Sequence, residues 1–403
     1  MDINQTYELL LNIKNLRIDG VDLFDRKINI YCGVKSKEQA CPNCGKMSKT
    51  VHQYYVRRLR DLDISSREVY LHVKERQFHC KYCNRYFTEL LDFADLNKDH
   101  TLRQAKRIFE FALKLSYAEV GAIFNIHAKT VERIVLSKCE KVIDIAAGYK
   151  AVSKLGIDEL SHRKGKKDFI CIVTDLDRGV VLDLLPNRKM TTLIAHFQAL
   201  GMDFCAQIEY VACDFWDAYI TTSEKCFPNA KIVIDHFHVV KLLNDPLDAL
   251  RKKLRKEDKD NLHYLRLKWI LYRQYHTLSD AQLNDLEAAF ADSPLLKQCY
   301  NKREEFHHIL DNEALDRCGD PAKKALEKIT IWIDSMAKEG ITLFDGFVKT
   351  LTKSKEYIAN YVVDFVTNAA TEGLNNLIRS VKRIAWGMPN FNHLRLRVLA
   401  MSN

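Results

Sequence analysis

Two short cysteine pairs constrain the N-terminal part of the chain more than any other feature. Cys41 and Cys44 form one Cys-x-x-Cys turn, Cys80 and Cys83 form a second, and 35 residues separate the two turns. Two thiolates three positions apart can hold one side of a tetrahedral Zn²⁺, and two such turns supply all four ligands. Since four protein ligands leave no position for water, we expect a structural zinc, with a β-hairpin absorbing the separation between the turns.

Cys32 and His79 lie close to these pairs in the sequence. Neither stands at the three-residue spacing that makes a ligand pair. We expect Cys32 to be a core thiol and His79 to be a flanking polar residue, outside the zinc site.

Length and composition exclude several classes of protein. The 403 residues suggest two to three domains, and a hydrophobic share of 47% is enough for a buried core. No run approaches the ~18 apolar residues of a membrane span, and the N-terminal residues lack the pattern of a secretory signal. We therefore expect a cytoplasmic, nucleoid-associated protein with reduced cysteines and no membrane partner. The net charge of +9 permits a polyanionic partner without proving one.

A pair of helices follows the cysteine region. Residues 97–145 have helical periodicity, and a turn at 125–127 separates a short helix from a second one over about 129–141. This order is typical of a helix-turn-helix, and the side chains predicted to face DNA are His127, Lys129, Thr130 and Arg133. Basic residues of the preceding helix are placed for phosphates, namely Arg103, Lys106 and Arg107. The alternative is a helical hairpin that only packs, although the neighbouring cysteine module favours DNA binding.

From residue 151 the pattern changes to strands. LGIDEL, DFICIVTDL and VVLDLL are typical of three consecutive strands, the last two forming a hairpin, and IEYVACD and AKIVID of a fourth and a fifth. Helical stretches at about 190–200 and 215–226 alternate with the later strands. This order matches an RNase H-like core, and another three-layer α/β domain is the alternative. We expect three acids in the hairpin and on its exposed face, namely Asp175, Asp177 and Asp183.

Two acids lie where strands of this sheet would meet. Asp158 is in the middle of the first strand between apolar residues, and Asp214 ends the fourth strand. A buried carboxylate is costly unless it is paired or binds a cation. Because the first and fourth strands are neighbours in an RNase H-like sheet, both carboxylates would meet at one edge, where they can hold Mg²⁺ or Mn²⁺ for phosphodiester chemistry. An Asp at a strand end is also a common helix N-cap.

A third acid is isolated on a basic helix. On a helix over 367–383, Glu372 lies on a polar sector opposite an apolar face. The rest of the polar sector is Asn368, Asn375, Asn376, Arg379 and Arg383, and the apolar face is Ala370, Leu374, Leu377, Ile378, Val381 and Ala385. A solvated face would mix acids and bases, so we predict one metal-binding carboxylate within a DNA-facing surface that includes Arg379, Lys382 and Arg383. The alternative is a basic surface helix with an incidental Glu.

Asp235 and His238 follow the fifth strand at its junction with a helix. An acid and a histidine three positions apart at this edge can support the carboxylate site. An N-cap Asp beside a packed His is an equal alternative.

Several of these runs resemble the ISL-three (ISL3) family of bacterial insertion-sequence transposases. They are CPNCG, CKYC, GIDE, ACDFWDAY, FPNAKIVIDHFHVVK and TEGLNNLIRSVKRIAWGMPNFNHLRLRVL, and they extend over nearly the whole chain. The resemblance implies an Asp-Asp-Glu transposase with an N-terminal zinc module, a helix-turn-helix and an RNase H-like catalytic core. Carried over by motif, the triad falls on Asp158, Asp214 and Glu372, and the supporting residues are Asp235, His238 and Asn368.

The predicted architecture is a multidomain α/β protein. An RNase H-like catalytic core with a long helical insertion follows a zinc-binding module and a helix-turn-helix. The insertion separates the fifth strand from the Glu-bearing helix, and we expect it to serve DNA or protomer contacts. The predicted divisions are a zinc-binding module over 1–95, a helix-turn-helix domain over 96–148, the first part of the core over 149–245, the insertion over 246–355, and the core completion with a basic tail over 356–403.

The sequence therefore predicts a DNA transposase with structural Zn²⁺ and catalytic Mg²⁺ or Mn²⁺. It would bind double-stranded DNA at the terminal inverted repeats of its element, cut there, and join the ends to target DNA, as a homodimer or higher homo-oligomer on DNA. Water would attack first, and a terminal 3′ hydroxyl second. One rival is a domesticated, non-cutting DNA-binding regulator, which the three intact acids argue against. A second is a plain RNase H-like nuclease or resolvase, which would not need both N-terminal modules.

Overall fold

The computed structural model describes residues 3–163, 168–258, 263–311 and 320–402. They fall into two compact units, an N-terminal unit of Met1–Val142 with Ile384–Trp386 and a C-terminal unit of Ile143–Arg383 with Gly387–Asn403. Within the described ranges, no helix is both long enough and apolar enough to span a bilayer. The predicted domain divisions, which are finer than these two units, stay predictions.

The N-terminal unit is built on a five-stranded sheet followed by three helices. Its elements are α1 Ile3–Leu11, β1 Leu16–Leu23, β2 Lys27–Val34, β3 Gln39–Ala40, β4 Met47–Ser48, β5 Val51–Arg60, β6 Glu68–Cys80, β7 Arg85–Thr88, α2 Leu102–Ala112, α3 Tyr117–Phe124 and α4 Ala128–Val142. The sheet order is β1-β2-β6-β5, and β7 also pairs with β6. β5 and β6 are antiparallel, which confirms the hairpin predicted between the cysteine pairs.

Alternation along β2, β5 and β6 gives this sheet one apolar face. Its inward residues are Ile28, Ile30, Leu59, Val69, Leu71 and Val73, all at most 2% exposed. With Leu11 of α1 and Leu16 of β1 they form one core cluster. Successive side chains of a strand point to opposite faces, so the residues between them form the outer face of the sheet.

The C-terminal unit is built on a second five-stranded sheet, and all five predicted strands are present. They are β8 Lys154–Arg163, β9 Asp168–Asp175, β10 Val180–Leu185, β11 Tyr210–Cys213 and β12 Lys231–Ile234. The sheet order is β10-β9-β8-β11-β12. β8, β9 and β10 pair antiparallel, whereas β11 is parallel to both β8 and β12. The carboxyl ends of β8, β11 and β12 therefore point the same way.

Helices surround this sheet and fill most of the remaining chain. They are α5 Ile145–Gly148, α6 Met190–Ala199, α7 Met202–Gln207, α8 Asp217–Cys226, α9 His236–Glu257, α10 His263–Ile270, α11 Asp280–Asp292, α12 Pro294–Leu310, α13 Pro321–Glu339, α14 Asp345–Ala359, α15 Tyr361–Asp364, α16 Ala369–Ile384 and α17 Phe391–Ser402, with a 3₁₀ turn at Tyr275–Thr277. α9 continues without a break through Pro246, beyond the residue at which the insertion was predicted to begin. Arg303 of α12 is fully buried and donates to Asn244 of α9 and to the Arg273 carbonyl, so it joins two helices and the bend that follows α10.

The prediction that three acids lie on the exposed face of the β9–β10 hairpin is wrong for two of them. Asp175 and Asp183 are 1% and 3% exposed, and Asp177 alone is exposed. Asp183 accepts two hydrogen bonds from Arg395 of α17, at 2.5 and 2.9 Å. The carboxylate is buried because a guanidinium distant in sequence neutralises it. This pair attaches the C-terminal helix to the edge strand β10.

Arg395→Ala would leave the Asp183 carboxylate buried without its cation. Breaking a buried ion pair by removing one partner costs about 3–5 kcal/mol, and we expect about 3 kcal/mol in the free energy of unfolding because Arg395 is 26% exposed. Urea denaturation measures this loss. The control is Lys297→Ala, whose pair with Glu287 is about half exposed at both ends and should contribute less than about 1 kcal/mol. Equal losses for the two variants would contradict this function of the Asp183–Arg395 pair.

Candidate active site and cysteine cluster

Strand register brings three acids to one level of the C-terminal sheet. Ile157 of β8 pairs with Cys213 of β11, and Cys213 pairs with Ile234 of β12. The next residue on each of the three parallel strands is an aspartate, namely Asp158, Asp214 and Asp235. Residues at one level of adjacent strands point to the same face. The predicted neighbourhood of Asp158 and Asp214 therefore follows from the pairing, and Asp235 joins them as a third strand-end carboxylate.

His238, in the first turn of α9, lies between two of these acids. Its Nδ1 is 3.2 Å from Oδ1 of Asp214, and its Nε2 is 4.0 Å from Oδ2 of Asp235. Asp235 is buried, and its Oδ1 accepts a hydrogen bond from the backbone N–H of Asn368 at 3.1 Å. Burial raises the pKa of Asp235. His238 is thus in contact with the acidic edge, so the packed-histidine alternative is not needed to explain its position.

Asp158 is held by one side chain of α16. Asn375 donates from Nδ2 to Oδ2 of Asp158 at 2.8 Å, and Oδ1 accepts from the backbone N–H of Glu159 at 2.7 Å. Asn375 is 5% exposed, and its own Oδ1 is buried without a hydrogen-bond partner. Because this buried amide donates its hydrogen bond to the carboxylate, it fixes the orientation of Asp158.

α16 packs through a face that coincides only in part with the predicted one. Two members of the predicted polar sector, Asn368 and Asn375, are buried, whereas Ala370 of the predicted apolar face is exposed. The residues through which the helix packs are Thr371, Asn375, Ile378 and Val381. The members of the polar sector that stay exposed are Glu372, Asn376, Arg379 and Arg383. The face prediction is therefore wrong for Asn368, Asn375 and Ala370, because polar partners on the sheet accept the amides, whereas Ile378 and Val381 pack as predicted.

A small polar network, which the sequence did not indicate, supplies those partners. Thr371 of α16 shares a hydrogen bond of 2.8 Å with Thr174 of β9, and Asn368 donates to the Ile157 carbonyl at 3.4 Å. Thr371 also donates to Asn368. Gly156 leaves the space for this contact, since a Cβ there would lie 2.3 Å from Thr174 Oγ1 and 2.5 Å from Asn368 Oδ1. In the sequence, the signal that could have indicated this contact was the presence of Gly156 and Thr174 within otherwise apolar strands.

An open cavity of about 530 Å³ joins these groups with the third predicted acid. We call it the acidic cavity, and its walls include Asp158, Asp214, Asp235, His238, Glu372 and Arg379. Glu372 is exposed on its wall. Within the described ranges, the carboxylates do not converge into a group of three whose ligand atoms all lie within 4.8 Å. The three predicted acids thus share one cavity without forming a closed cluster.

The basic residues of α16 differ from one another. Among the residues that the structure describes, Arg379 bonds only to the neighbouring Asn376 and Arg383 only to Ser380, and both are exposed. Lys382 instead donates to the carbonyls of Ser161 and His162, each at 2.8 Å, and burial lowers its pKa. Lys382 therefore secures the end of β8, in addition to any contact that it makes with DNA.

In the N-terminal unit, the four paired cysteines come together as predicted. Their ligand atoms all lie within 4.8 Å of one another. The Cys41 and Cys83 sulfurs are 3.6 Å apart, as are those of Cys44 and Cys80. Hydrogen bonds from the backbone N–H groups of Cys83 and Tyr82 lower the pKa of Cys80 to about 6, which favours the thiolate that a metal binds. Cys32 lies apart in the sheet core and His79 pairs with Asn84, consistent with their predicted roles outside the cluster.

α3 and α4 form a tight helix pair. Asn125 ends α3 in the left-handed conformation, with φ at 50°. The turn approaches α3 so closely that a Cβ on Gly121 would lie 2.6 Å from the Ile126 carbonyl oxygen. His127 accepts the Lys129 N–H on its Nδ1 at 3.1 Å and so caps α4. His127, Lys129 and Arg133 are exposed and Thr130 is half-buried.

The predicted phosphate contact of Arg103 is wrong. Its guanidinium donates to Asp61, a fully buried carboxylate of the same unit. Arg107 pairs with Glu110 on the surface of α2. Arg103 is therefore a structural cation that neutralises a buried acid.

Residues 155–398 match the family model described as "Transposase", of the ISL3 group, and this match extends over more than half of the chain. The chain belongs to the ISL3 transposase family. Residues 37–83 match the zinc finger of the transposases of IS204, IS1001, IS1096 and IS1165, so this ISL3 transposase carries its cysteine cluster within a known zinc-finger type.

Curated relatives of this ISL3 transposase match over most of their length. The transposase for insertion sequence element IS1001 of Bordetella parapertussis is 26% identical over 381 residues, which cover 93% of this chain and 91% of the relative. The transposase for element IS1557 of Mycobacterium tuberculosis is 25% identical over 392 residues, which cover 89% and 85%. These matches support the predicted DNA transposase function and give no support to the non-cutting regulator.

Gly156→Ala should disturb the contact between α16 and the sheet. The added Cβ would meet Thr174, Asn368 and Leu176 at 2.8 Å or less, and overpacking of this kind costs about 1–3 kcal/mol. We expect that loss in the free energy of unfolding, measured by urea denaturation, together with impaired catalysis. The control is Gly346→Ala in α14, where a Cβ meets nothing within 4 Å, and which should be neutral or slightly stabilising. A fully stable Gly156→Ala variant would show that the network tolerates rearrangement.

Proposed function

We propose that this transposase cleaves DNA strands at the ends of an insertion sequence and transfers them to target DNA, with Asp158, Asp214 and Glu372 as its metal-binding acids. The observation that carries the proposal is the strand register, which sets Asp158 beside Asp214 in a cavity whose wall includes Glu372. The rival of a plain nuclease has no need for the N-terminal cysteine cluster and helix pair that precede this cavity.

The donor set fits a divalent cation. In the described part of the chain, no lysine or arginine pairs with Asp158, Asp214 or Glu372, and Asp214 has only His238 at ion-pair distance. Several carboxylates in one cavity without a basic partner repel one another, and a cation relieves that repulsion. Mg²⁺ or Mn²⁺ held by these acids would activate water or a 3′ hydroxyl and neutralise charge on the phosphodiester.

The sheet supports an RNase H-like core. Numbered along the chain, its strands lie in the order three, two, one, four, five, with the first three antiparallel and the fourth parallel to the first. Parallel pairing of the first and fourth strands is what aligns the two aspartates. The core assignment and the metal-ligand assignment therefore depend on the same pairing.

His238 and Asp235 orient the Asp214 side of the site. The imidazole lies between the two carboxylates, 3.2 Å from Asp214 and 4.0 Å from Asp235, so it can position them by packing and electrostatic attraction. Asp235 is in turn fixed by the backbone N–H of Asn368. Asn368, at the start of α16, thereby connects the Asp214 side to the helix that carries Glu372.

Two surfaces are proposed to contact double-stranded DNA at the terminal repeats and the target. Beside the acidic cavity, Arg379 and Arg383 are exposed cations on the same helix as Glu372. In the N-terminal unit, α3 and α4 would act as a helix-turn-helix with His127, Lys129, Thr130 and Arg133 toward the major groove. Because transposition acts on two element ends, we expect the chain to work as a homodimer or higher homo-oligomer on DNA.

The four-cysteine cluster is proposed to hold one structural zinc, and the full-length chain should therefore contain about one zinc per molecule. Cys80→Ser removes a ligand, so zinc content by metal analysis should fall sharply and the N-terminal unit should lose stability, since such sites contribute about 10 kcal/mol. Cys32→Ser, which alters a thiol of the sheet core outside the cluster, should keep its zinc. Unchanged zinc in Cys80→Ser would defeat the assignment.

Glu372→Gln tests the catalytic proposal, because it keeps the shape of the side chain and removes the charge that attracts Mg²⁺. We expect cleavage of labelled element-end DNA with Mg²⁺ or Mn²⁺ to fall more than about 100-fold, since even outer partners of metal ligands cost 10–100-fold. Binding of the same DNA should stay near the wild-type value. Glu327→Gln makes the same change at an exposed position of α13, outside the acidic cavity, and this variant should cleave normally.

Arg133→Ala should give the opposite result. Its binding to element-end DNA should weaken, whereas its acidic cavity stays intact. Full cleavage by Glu372→Gln would sink the three-acid mechanism. Equal loss of DNA binding in Glu372→Gln and Arg133→Ala would mean that Glu372 supports the DNA-binding surface and not the chemistry.

A further inference from the structure

The outer face of the N-terminal sheet carries aromatic and basic side chains that neither the cysteine cluster nor the helix pair uses. We call it the tyrosine face, and it consists of Tyr31, Tyr54, Arg58, Tyr70, His72 and Lys74. The pairing of Arg58 with His72 and the alternation along β6 put these residues opposite the apolar core. Tyr31 is 42% exposed and Tyr54 56% exposed, which is far above what core tyrosines show.

Cations and rings alternate across this face. The Arg58 guanidinium lies 3.8 Å from the centre of the Tyr70 ring, and the Lys74 ammonium lies 4.7 Å from that of Tyr54. The Tyr31 and His72 rings stack at 5.1 Å with 27° between their planes. Tyr31 and Tyr54 stay exposed in these contacts, whereas Tyr70 and His72 are half-buried, so the outer surfaces of the two exposed rings are available to a ligand.

Two hydroxyl groups fix the rings at the border of the face. Tyr31 donates to Asp22 and Tyr70 donates to Glu68, each at 3.0 Å. Both bonds restrict their rings before any ligand arrives, and preorganised rings lose less entropy on binding. Both acids lie at the border, so the centre of the face carries the positive charge of Arg58 and Lys74.

We propose that the tyrosine face binds an unpaired DNA strand by stacking its bases on these rings. In a duplex the base faces are covered by neighbouring bases, and only an unpaired strand can offer them to aromatic side chains. Rings interleaved with cations match a strand whose bases and phosphates alternate. The inference goes beyond the proposed strand cleavage and holds whether or not the chain cuts DNA.

The position of the face in the N-terminal unit supports this occupant. Glu68, the first residue of β6, accepts a hydrogen bond from Asn125, the residue that ends α3. The turn that leads into α4 thus borders the tyrosine face. A duplex held by α4 would present its unpaired end next to the rings, which gives the two surfaces one continuous nucleic-acid path.

The test is fluorescence anisotropy of the full-length chain with labelled oligothymidine of about 16 nucleotides, within the range of single-strand site sizes, and with a duplex of equal length. Tyr31→Ala combined with Tyr54→Ala should weaken oligothymidine binding at least about tenfold, because each stacked ring is worth about that factor. Tyr31→Phe combined with Tyr54→Phe keeps the rings and should bind nearly as the wild type does. Duplex affinity should change little in either variant.

Tyr82→Ala is the matched control, since Tyr82 is 73% exposed on the second cysteine turn, outside the tyrosine face. Thermal unfolding and zinc content verify that each variant is folded. The proposal is overturned if the wild type does not bind oligothymidine, if the alanine variant binds it as well as the wild type, or if duplex binding falls equally. It is also overturned if light scattering shows that the alanine variant only loses self-association. Failure of the wild type to cleave element ends would count against the proposed function alone.

Discussion

The proposed active site depends on a buried polar contact between a helix and a sheet that are far apart in sequence. Thr371 and Asn368 at the start of α16 reach Thr174 and the backbone beside Gly156. Hydrogen bonds buried from water are costly to leave unmade, so the contact has a narrow set of acceptable geometries. It fixes the position and rotation of α16, and with them the side of the sheet on which Glu372 lies. An apolar contact of similar area would allow the helix to slide.

The acidic cavity gathers carboxylates that repel one another, and neutral or titratable residues in its own walls orient them. Asp158, Asp214 and Asp235 stand at one level of adjacent strands, and burial already raises the pKa of Asp235. Neutral or titratable partners, Asn375 and His238, orient them in place of lysine or arginine. Other buried acids of the chain are treated differently, since Asp61 and Asp183 each receive an arginine. Among the described residues, no lysine or arginine pairs with Asp158 or Asp214, which is consistent with the metal site proposed above.

Much of the fold followed from the sequence, because apolar runs and alternation mark strands whatever their partners are. The five core strands, the cysteine hairpin and the two-helix turn were predicted in this way. The burial of these polar residues could not be predicted in this way, because their partners lie far along the chain. Asn375 is 217 positions from Asp158, and Asp183 is 212 from Arg395. Asn368 and Asn375 were therefore assigned to the solvent side of α16, although both are buried. Asp235 was predicted to support this site, since it also follows an apolar strand directly.

The helices between β12 and α16 raise the question of how Glu372 keeps its position. The chain between them passes through six longer helices, and any shift along that path would accumulate at α16 if the connection alone positioned it. The path is instead closed by contacts at its end, where Asn360 donates to the Ile232 carbonyl of β12 at 2.8 Å and Asn368 to Asp235. Loop length adds little to the free energy of closure once such contacts exist. The helical segment can therefore vary in length and partner without moving Glu372, which explains how an acid 158 positions beyond Asp214 can serve the same cavity.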